Sequence, residues 1–202
     1  MSRVNEVTPE TATGEVAKIF DDTLRQFGRI SNFSKVMANA PAALQAWMTA
    51  NRGVRMKYLK AGDIAFLQIE QMVIIRTSSL NASEYCLGHN VDLGREAGLT
   101  AEQVEALQGD YAASDALSER EKLAVAWAEA VTELRARDDD DLFARMQREF
   151  TDEQIVELTV LIGMWNFSNR LTEALHIELE PPGERLNFFH STSDVVPERA
   201  TT

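Results

Sequence analysis

The stretch Asp63–Leu80, DIAFLQIEQMVIIRTSSL, decides the fold class. Its apolar residues Ile64, Phe66, Leu67, Ile69, Met72, Val73, Ile74 and Ile75 fall nearly all round a helical wheel, as in a helix enclosed by others. Gln68, Glu70, Gln71 and Arg76 are the exceptions, and a buried Gln71 would need partners for its amide.

Working outward, the neighbouring segments repeat the helical period without a run of β-branched alternation, so the chain reads as all-α. Upstream, Val16, Phe20 and Leu24 form a stripe on a helix expected from Thr11 to Phe27 and ended by Gly28. A short segment around Ser34 to Ala38 follows. Pro41 then suits the first turn of a helix carrying Leu44, Trp47 and Met48, with Gly53 expected to interrupt it. Downstream, Asn81 or Ser83 suits the cap of a helix running to Ala97 and closed by Gly98. Thr100, Ser118 and Thr151 each open a capping box, with Gln103, Glu121 and Gln154 closing them. Behind Ser118, the residues Leu123, Ala124, Trp127, Ala130, Val131 and Leu134 predict one apolar face. The acidic run Asp138 to Asp141 suits a helix start before Leu142. The last long helix is predicted from Thr151 to about Leu179, stopped by Pro181, Pro182 and Gly183.

The 202 residues suit one domain, expected over 1–190, with a polar tail over 191–202 and Leu186, Phe188 and Phe189 packing back on the body or on another subunit. With 32 acidic against 20 basic side chains the net charge is −12, which repels nucleic acid and anionic membranes. One cysteine and three histidines disfavour an internal disulfide, a redox dithiol and a metal site. The start Met1-Ser-Arg-Val-Asn-Glu lacks the apolar run of a secretory signal, and no stretch approaches the roughly 18 to 20 apolar residues that span a bilayer. A cytoplasmic protein is the expectation.

The single cysteine, Cys86, precedes His89 by three residues, so on a helix the two lie on adjacent turns. Ser83, Cys86 and Asn90 share one stripe with His89 beside it, while Glu84 points to the other side. If the helix begins near Ser83, its positive end and a protonated His89 both favour thiolate at Cys86. A lone cysteine in apolar surroundings is otherwise a small core residue, and Gln71 suits a structural hydrogen bond as well as a substrate contact.

The run Leu80-Asn-Ala-Ser-Glu-Tyr-Cys-Leu-Gly-His-Asn-Val-Asp-Leu-Gly-Arg-Glu-Ala-Gly-Leu99 resembles the signature of the carboxymuconolactone decarboxylase and alkyl hydroperoxidase D-like superfamily. The segment from Gly28 to Pro41 is similar to the corresponding part of its peroxidase-related members, and Phe150 to Leu179 resembles their closing helix, so the likeness covers most of residues 10–180. The resemblance implies an all-helical subunit, the site at the start of the signature helix, and assembly as a homo-oligomer, trimer or hexamer. In the peroxidase branch the motif is C-x-x-C followed by histidine. By that likeness Ser83 stands at the first cysteine, Cys86 at the second, Asn90 at the relay histidine and Gln71 at the relay glutamate.

Without a second thiol, Ser83 cannot resolve a sulfenate, which argues against the two-cysteine peroxidase cycle. In the decarboxylase branch the resemblance implies an E-x-x-x-x-H context, which Glu84 and His89 partly match, and loss of carbon dioxide from a γ-carboxy enol-lactone without a cofactor. The leading expectation is therefore a decarboxylase-like enzyme on a small carboxylate or lactone. His89 would be the acid, with Gln71, Ser83, Glu84 and Asn90 near the substrate. A one-cysteine hydroperoxidase using Cys86 and a non-catalytic member of the fold are the alternatives.

Overall fold

The computed structural model describes residues 2–185, and these contain nine α-helices and no strand. They are α1 (Gly14–Phe27), α2 (Asn32–Met37), α3 (Pro41–Ala61), α4 (Ile64–Leu80), α5 (Glu84–Glu96), α6 (Ala101–Gln108), α7 (Glu119–Thr132), α8 (Asp140–Glu149) and α9 (Asp152–Leu175). The expected packing of Leu186, Phe188 and Phe189 and the tail 191–202 lie outside the described residues. No described helix is long and apolar enough to cross a membrane.

Helix α4 is central because its apolar residues have no outer face. It packs against α3, α5, α6, α7 and α9. Its side chains enter four separate apolar clusters: Ile74 joins α1, α2 and α9, while Phe66, Ile69 and Val73 join α7, α8 and α9. Met72 and Ile75 meet α6 and α7, and Leu67 meets Leu59 and Leu93. The enclosed helix expected from Asp63 to Leu80 is thus the hub of the bundle.

The helix starts follow the cap chemistry. All three capping boxes form with both of their bonds. Within the acidic run it is Asp139 that caps α8, accepting from the Leu142 amide at 3.0 Å. Gly28 ends α1 in the left-handed region at φ +72°, as glycine readily does.

Four boundaries differ from expectation, each for a local reason. Helix α1 starts at Gly14, because Thr8 and Thr11 bond each other in a preceding turn. Helix α3 runs unbroken through Gly53. An isolated interior glycine costs only about 1 kcal/mol, too little to stop a helix held by tertiary packing. Leu134 does not join the apolar face of α7: it lies past the helix end at φ +60° and is exposed. Helix α9 ends at Leu175 rather than Leu179, with His176 in the left-handed conformation as its cap.

Past His176 the chain returns across the bundle. Glu178 accepts from the Asn32 side chain at 3.0 Å, and the Arg29 guanidinium donates to the carbonyls of Gly183 and Arg185. Arg185 reaches Asp92 on α5 at 2.6 Å. Leu179 rests on Gly88, where any Cβ would come within 2.3 Å of a Leu179 methyl. The absence of a side chain at position 88 is what lets this strap lie flat on α5.

Candidate functional site

Between α1, α2, α3, α5 and α9 lies a cavity of about 100 Å³, room for several water molecules. Helix α5 supplies Tyr85, Cys86, His89, Asn90 and Leu93, residues on one face of its first turns. Helix α3 supplies Trp47, Met48, Asn51, Arg52 and Arg55, again at helical spacing. Aromatic rings form a wall: Phe33 and Trp47 are 4.9 Å apart, and Trp47 and Trp165 are 6.2 Å apart, all tilted. The Trp47 indole is fixed by donating to Ser168 at 3.0 Å.

His89 is the best-positioned proton carrier in the cavity. Its Nε2 lies 2.6 Å from the Glu180 carboxylate, brought over it by the strap. That carboxylate also accepts from the Asn32 amide and from the Tyr85 hydroxyl, the latter at 3.2 Å, and Tyr85 in turn accepts from the Phe33 amide at 3.1 Å. Burial alone would raise Glu180, but the hydrogen bond and charge of His89, with the Asn32 amide, outweigh it and hold the carboxyl below its ordinary range. The other nitrogen of His89, Nδ1, has no hydrogen-bond partner among the described residues.

Cys86 sits in the first turn of α5 and lines the same cavity, yet its surroundings favour thiol over thiolate. It is buried, and burial pushes it up to about 11 against the lowering effect of hydrogen bonds with Ser83 and Thr172. The sulfur lies 3.8 Å from the Thr172 hydroxyl. His89 is committed to Glu180, so its help to the thiol falls away.

The neighbours of the pair separate into two groups. Asn90 lines the cavity, whereas Gln71 and Ser83 stand behind the lining residues and Glu84 is on the exposed side of α5. Ser83 exchanges a hydrogen bond with Thr172 at 3.0 Å. Gln71, fully buried, accepts from Arg55 at 2.6 Å and donates to the carbonyl and side-chain oxygens of Asn90 at 2.8 and 3.0 Å. Asn90 then donates to the Cys86 carbonyl at 2.7 Å. This chain of amides fixes α3, α4 and α5 relative to one another and carries no ionisable group between Arg55 and Cys86.

Next to Gln71, Glu70 is fully buried and neither carboxylate oxygen has a hydrogen-bond partner among the described residues. Burial pushes it up to about 8, against the opposing attraction of Arg55.

Residues 41–130 match the carboxymuconolactone decarboxylase family. The uncharacterized protein YdfG of Bacillus subtilis is 28% identical over 120 residues, 59% of this chain and 80% of that protein. Among solved structures, a peroxidase-related protein from Ralstonia eutropha with an alkylhydroperoxidase AhpD core superposes with a TM-score of 0.77 at 15% identity, covering 98% of both chains. The debrominase Bmp8 in complex with 2,3,4-tribromopyrrole superposes with a TM-score of 0.70 at 18% identity, covering 96% of this chain and 97% of that one. The family match over 41–130 and these superpositions make the chain similar to the carboxymuconolactone decarboxylase and alkyl hydroperoxidase D-like superfamily, with the same all-helical fold.

Several residues of the site were not singled out from sequence. Glu180 falls between the expected end of the last helix at about Leu179 and the stop at Pro181, where no periodic pattern marks it. Asn51 and Arg55 did leave a trace, since they continue the buried stripe Leu44, Met48 on α3, where polar side chains need a reason.

Proposed function

We propose that this protein is a cofactor-independent enzyme that moves a proton on a small carboxylate or lactone, of the decarboxylase-like kind, with His89 as the acid. The observation that carries this reading is the His89–Glu180 contact of 2.6 Å beside the cavity that His89 lines. Glu180 orients the imidazole through Nε2 and balances its charge when both nitrogens are protonated, leaving Nδ1 to face substrate. When carbon dioxide leaves, the electron pair of the broken C–C bond passes through the conjugated system to the lactone carbonyl. His89 then delivers its proton to carbon as that charge returns, and solvent reprotonates the ring. The halogenated pyrrole held by the debrominase relative is also a small planar ring, which accords with a site walled by aromatic residues.

The raised thiol of Cys86 weighs against a one-cysteine hydroperoxidase, because the thiolate is the reacting form. Decarboxylation of a γ-carboxy enol-lactone, followed by carbon dioxide release, tests the proposal. Cys86→Ser should retain most turnover and His89→Ala should lose about 100-fold or more. Abolition of turnover by the serine change alone would remove this reading, and sulfenate trapped on Cys86 by substoichiometric peroxide would restore the peroxidase one.

A further inference from the structure

Helix α9 turns its inner face to the core and the cavity, but the middle of its outer face is apolar as well. Val156, Val160 and Phe167 are 60%, 40% and 46% exposed, and none of them joins the four apolar clusters. With Gly163 they follow one another at steps of four, three and four residues, so they form a single stripe along the helix. Apolar residues scattered singly on a surface are ordinary, whereas a continuous stripe with polar ends marks a face that a partner covers. The ends of this stripe are charged. Glu153 lies three residues before Val156 and Arg170 three residues beyond Phe167, and both are exposed. Gly163 is a bare place within it: no atom lies within 4 Å of where its Cβ would stand. A glycine in mid-helix weakens the helix, and what it permits is close approach by another backbone.

The stripe is evenly spaced about a point midway between Val160 and Gly163. Reversed and laid on itself, it sets Glu153 against Arg170, Val156 against Phe167 and Val160 against the bare Gly163. Laid parallel and in register, it brings like charges together at both ends. Both charged groups have bonding capacity left. Arg170 donates to Asn166 and Asn81 through Nη1 alone, and Glu153 accepts from Lys57 through Oε1. We propose that α9 pairs antiparallel with α9 of a second copy of this chain, across a twofold axis between Val160 and Gly163. Such an interface uses the same patch on both copies, so each of the three pairs occurs twice. Val160 seats on the partner's Gly163, Phe167 covers the partner's Val156, and Arg170 meets the partner's Glu153. What is assigned is the face and its direction. It stands apart from the catalytic reading, and contacts through other faces would multiply this pair without altering it.

Sedimentation velocity of the full chain, over a dilution series at low salt, tests the pairing. Gly163→Gln places a side chain in space that is open in one copy and filled in the pair. The mass of the assembly should halve while the helical circular dichroism is retained. Arg170→Glu and Glu153→Arg each turn two attractive pairs per dimer into repulsive ones, and each should raise the dissociation constant by about tenfold or more. Combining the two reversals restores opposite charges in the antiparallel register, so the double variant should recover the association of the original chain. A chain that stays single at about 100 µM, an unchanged mass in Gly163→Gln, or a double variant that associates no better than either single one would each overturn the assignment.

Discussion

Cys86 and His89 are neighbours on α5 facing one cavity, but their environments drive them apart. The thiol is desolvated and hydrogen-bonded only to hydroxyls, while the imidazole is hydrogen-bonded to a carboxylate. Replacing Glu180 by Gln keeps the shape of the contact and removes its charge. Turnover should fall by about 10- to 100-fold, with a displaced pH–rate profile that a purely structural role would not produce. Glu180 also links stability to pH. Its folded pKa is depressed, so its contribution is complete above the ordinary value of 4.5 and is lost as pH falls through the lower folded value. Glu70 acts with the opposite sign. With its pKa raised from 4.5 to about 8, the folded state holds a proton that the unfolded chain releases, so stability declines as pH rises across that window. Glu70→Gln should flatten this decline, raising the urea midpoint at pH 8 more than at pH 5. An equal shift at both pH values would mean that Glu70 does not titrate in that range. Helical spacing puts Cys86, His89 and Asn90 on adjacent turns of α5, whereas Gln71, on α4, is reached only through the family resemblance and meets Asn90 by tertiary packing. Sequence could not supply Glu180, whose approach to His89 spans 91 residues of chain and depends on where α9 stops.

At the scale of elements, the strap after α9 is the piece that completes the site. It carries Glu180 to His89 and is fixed by Arg29 and Asn32 from the α1–α2 segment and by Asp92 on α5. Its seat on α5 depends on Gly88. Gly88→Ala places a methyl within 2.3 Å of a Leu179 side-chain carbon, so the leucine must turn or the strap must lift. The expected result is loss of turnover comparable to Glu180→Gln with the helical circular dichroism retained, and faster proteolysis within 177–185. Unchanged activity would show that Leu179 yields without moving Glu180. The helices themselves were largely legible: capping boxes, Gly28 and the periodic stripes located most of them to within a few residues. The misses came where packing outweighed a local signal, as at Gly53, or where the backbone left the helix before the apolar pattern ended, as at Leu134 and Leu175.

For the molecule as a whole, α4 explains both the stability of the bundle and the position of the site. A helix that feeds four apolar clusters couples them, because a void opened beside it is shared by packed neighbours on every side. The same helix presents Gln71, which ties α3 and α5 together directly behind the cavity. These roles can be separated by substitution. Ile74→Ala removes fully buried atoms facing the cluster that includes Cys86 and Trp165, and should cost about 2 to 5 kcal/mol of stability. Gln71→Leu keeps much of the volume but leaves the Arg55 guanidinium and the Asn90 side-chain oxygen each without one present partner, so it should disturb the site as well as the fold. Arg55 would be able to shift against the ring of Trp165 in the cavity wall, and turnover should fall with it. Ile74→Ala should lower the urea midpoint with little effect on turnover at temperatures where the protein stays folded. If both variants altered turnover in proportion to the stability they lost, the amide bridge would be part of general packing; if Gln71→Leu alone altered it, α4 would be setting the geometry of the cavity through Arg55 and Asn90.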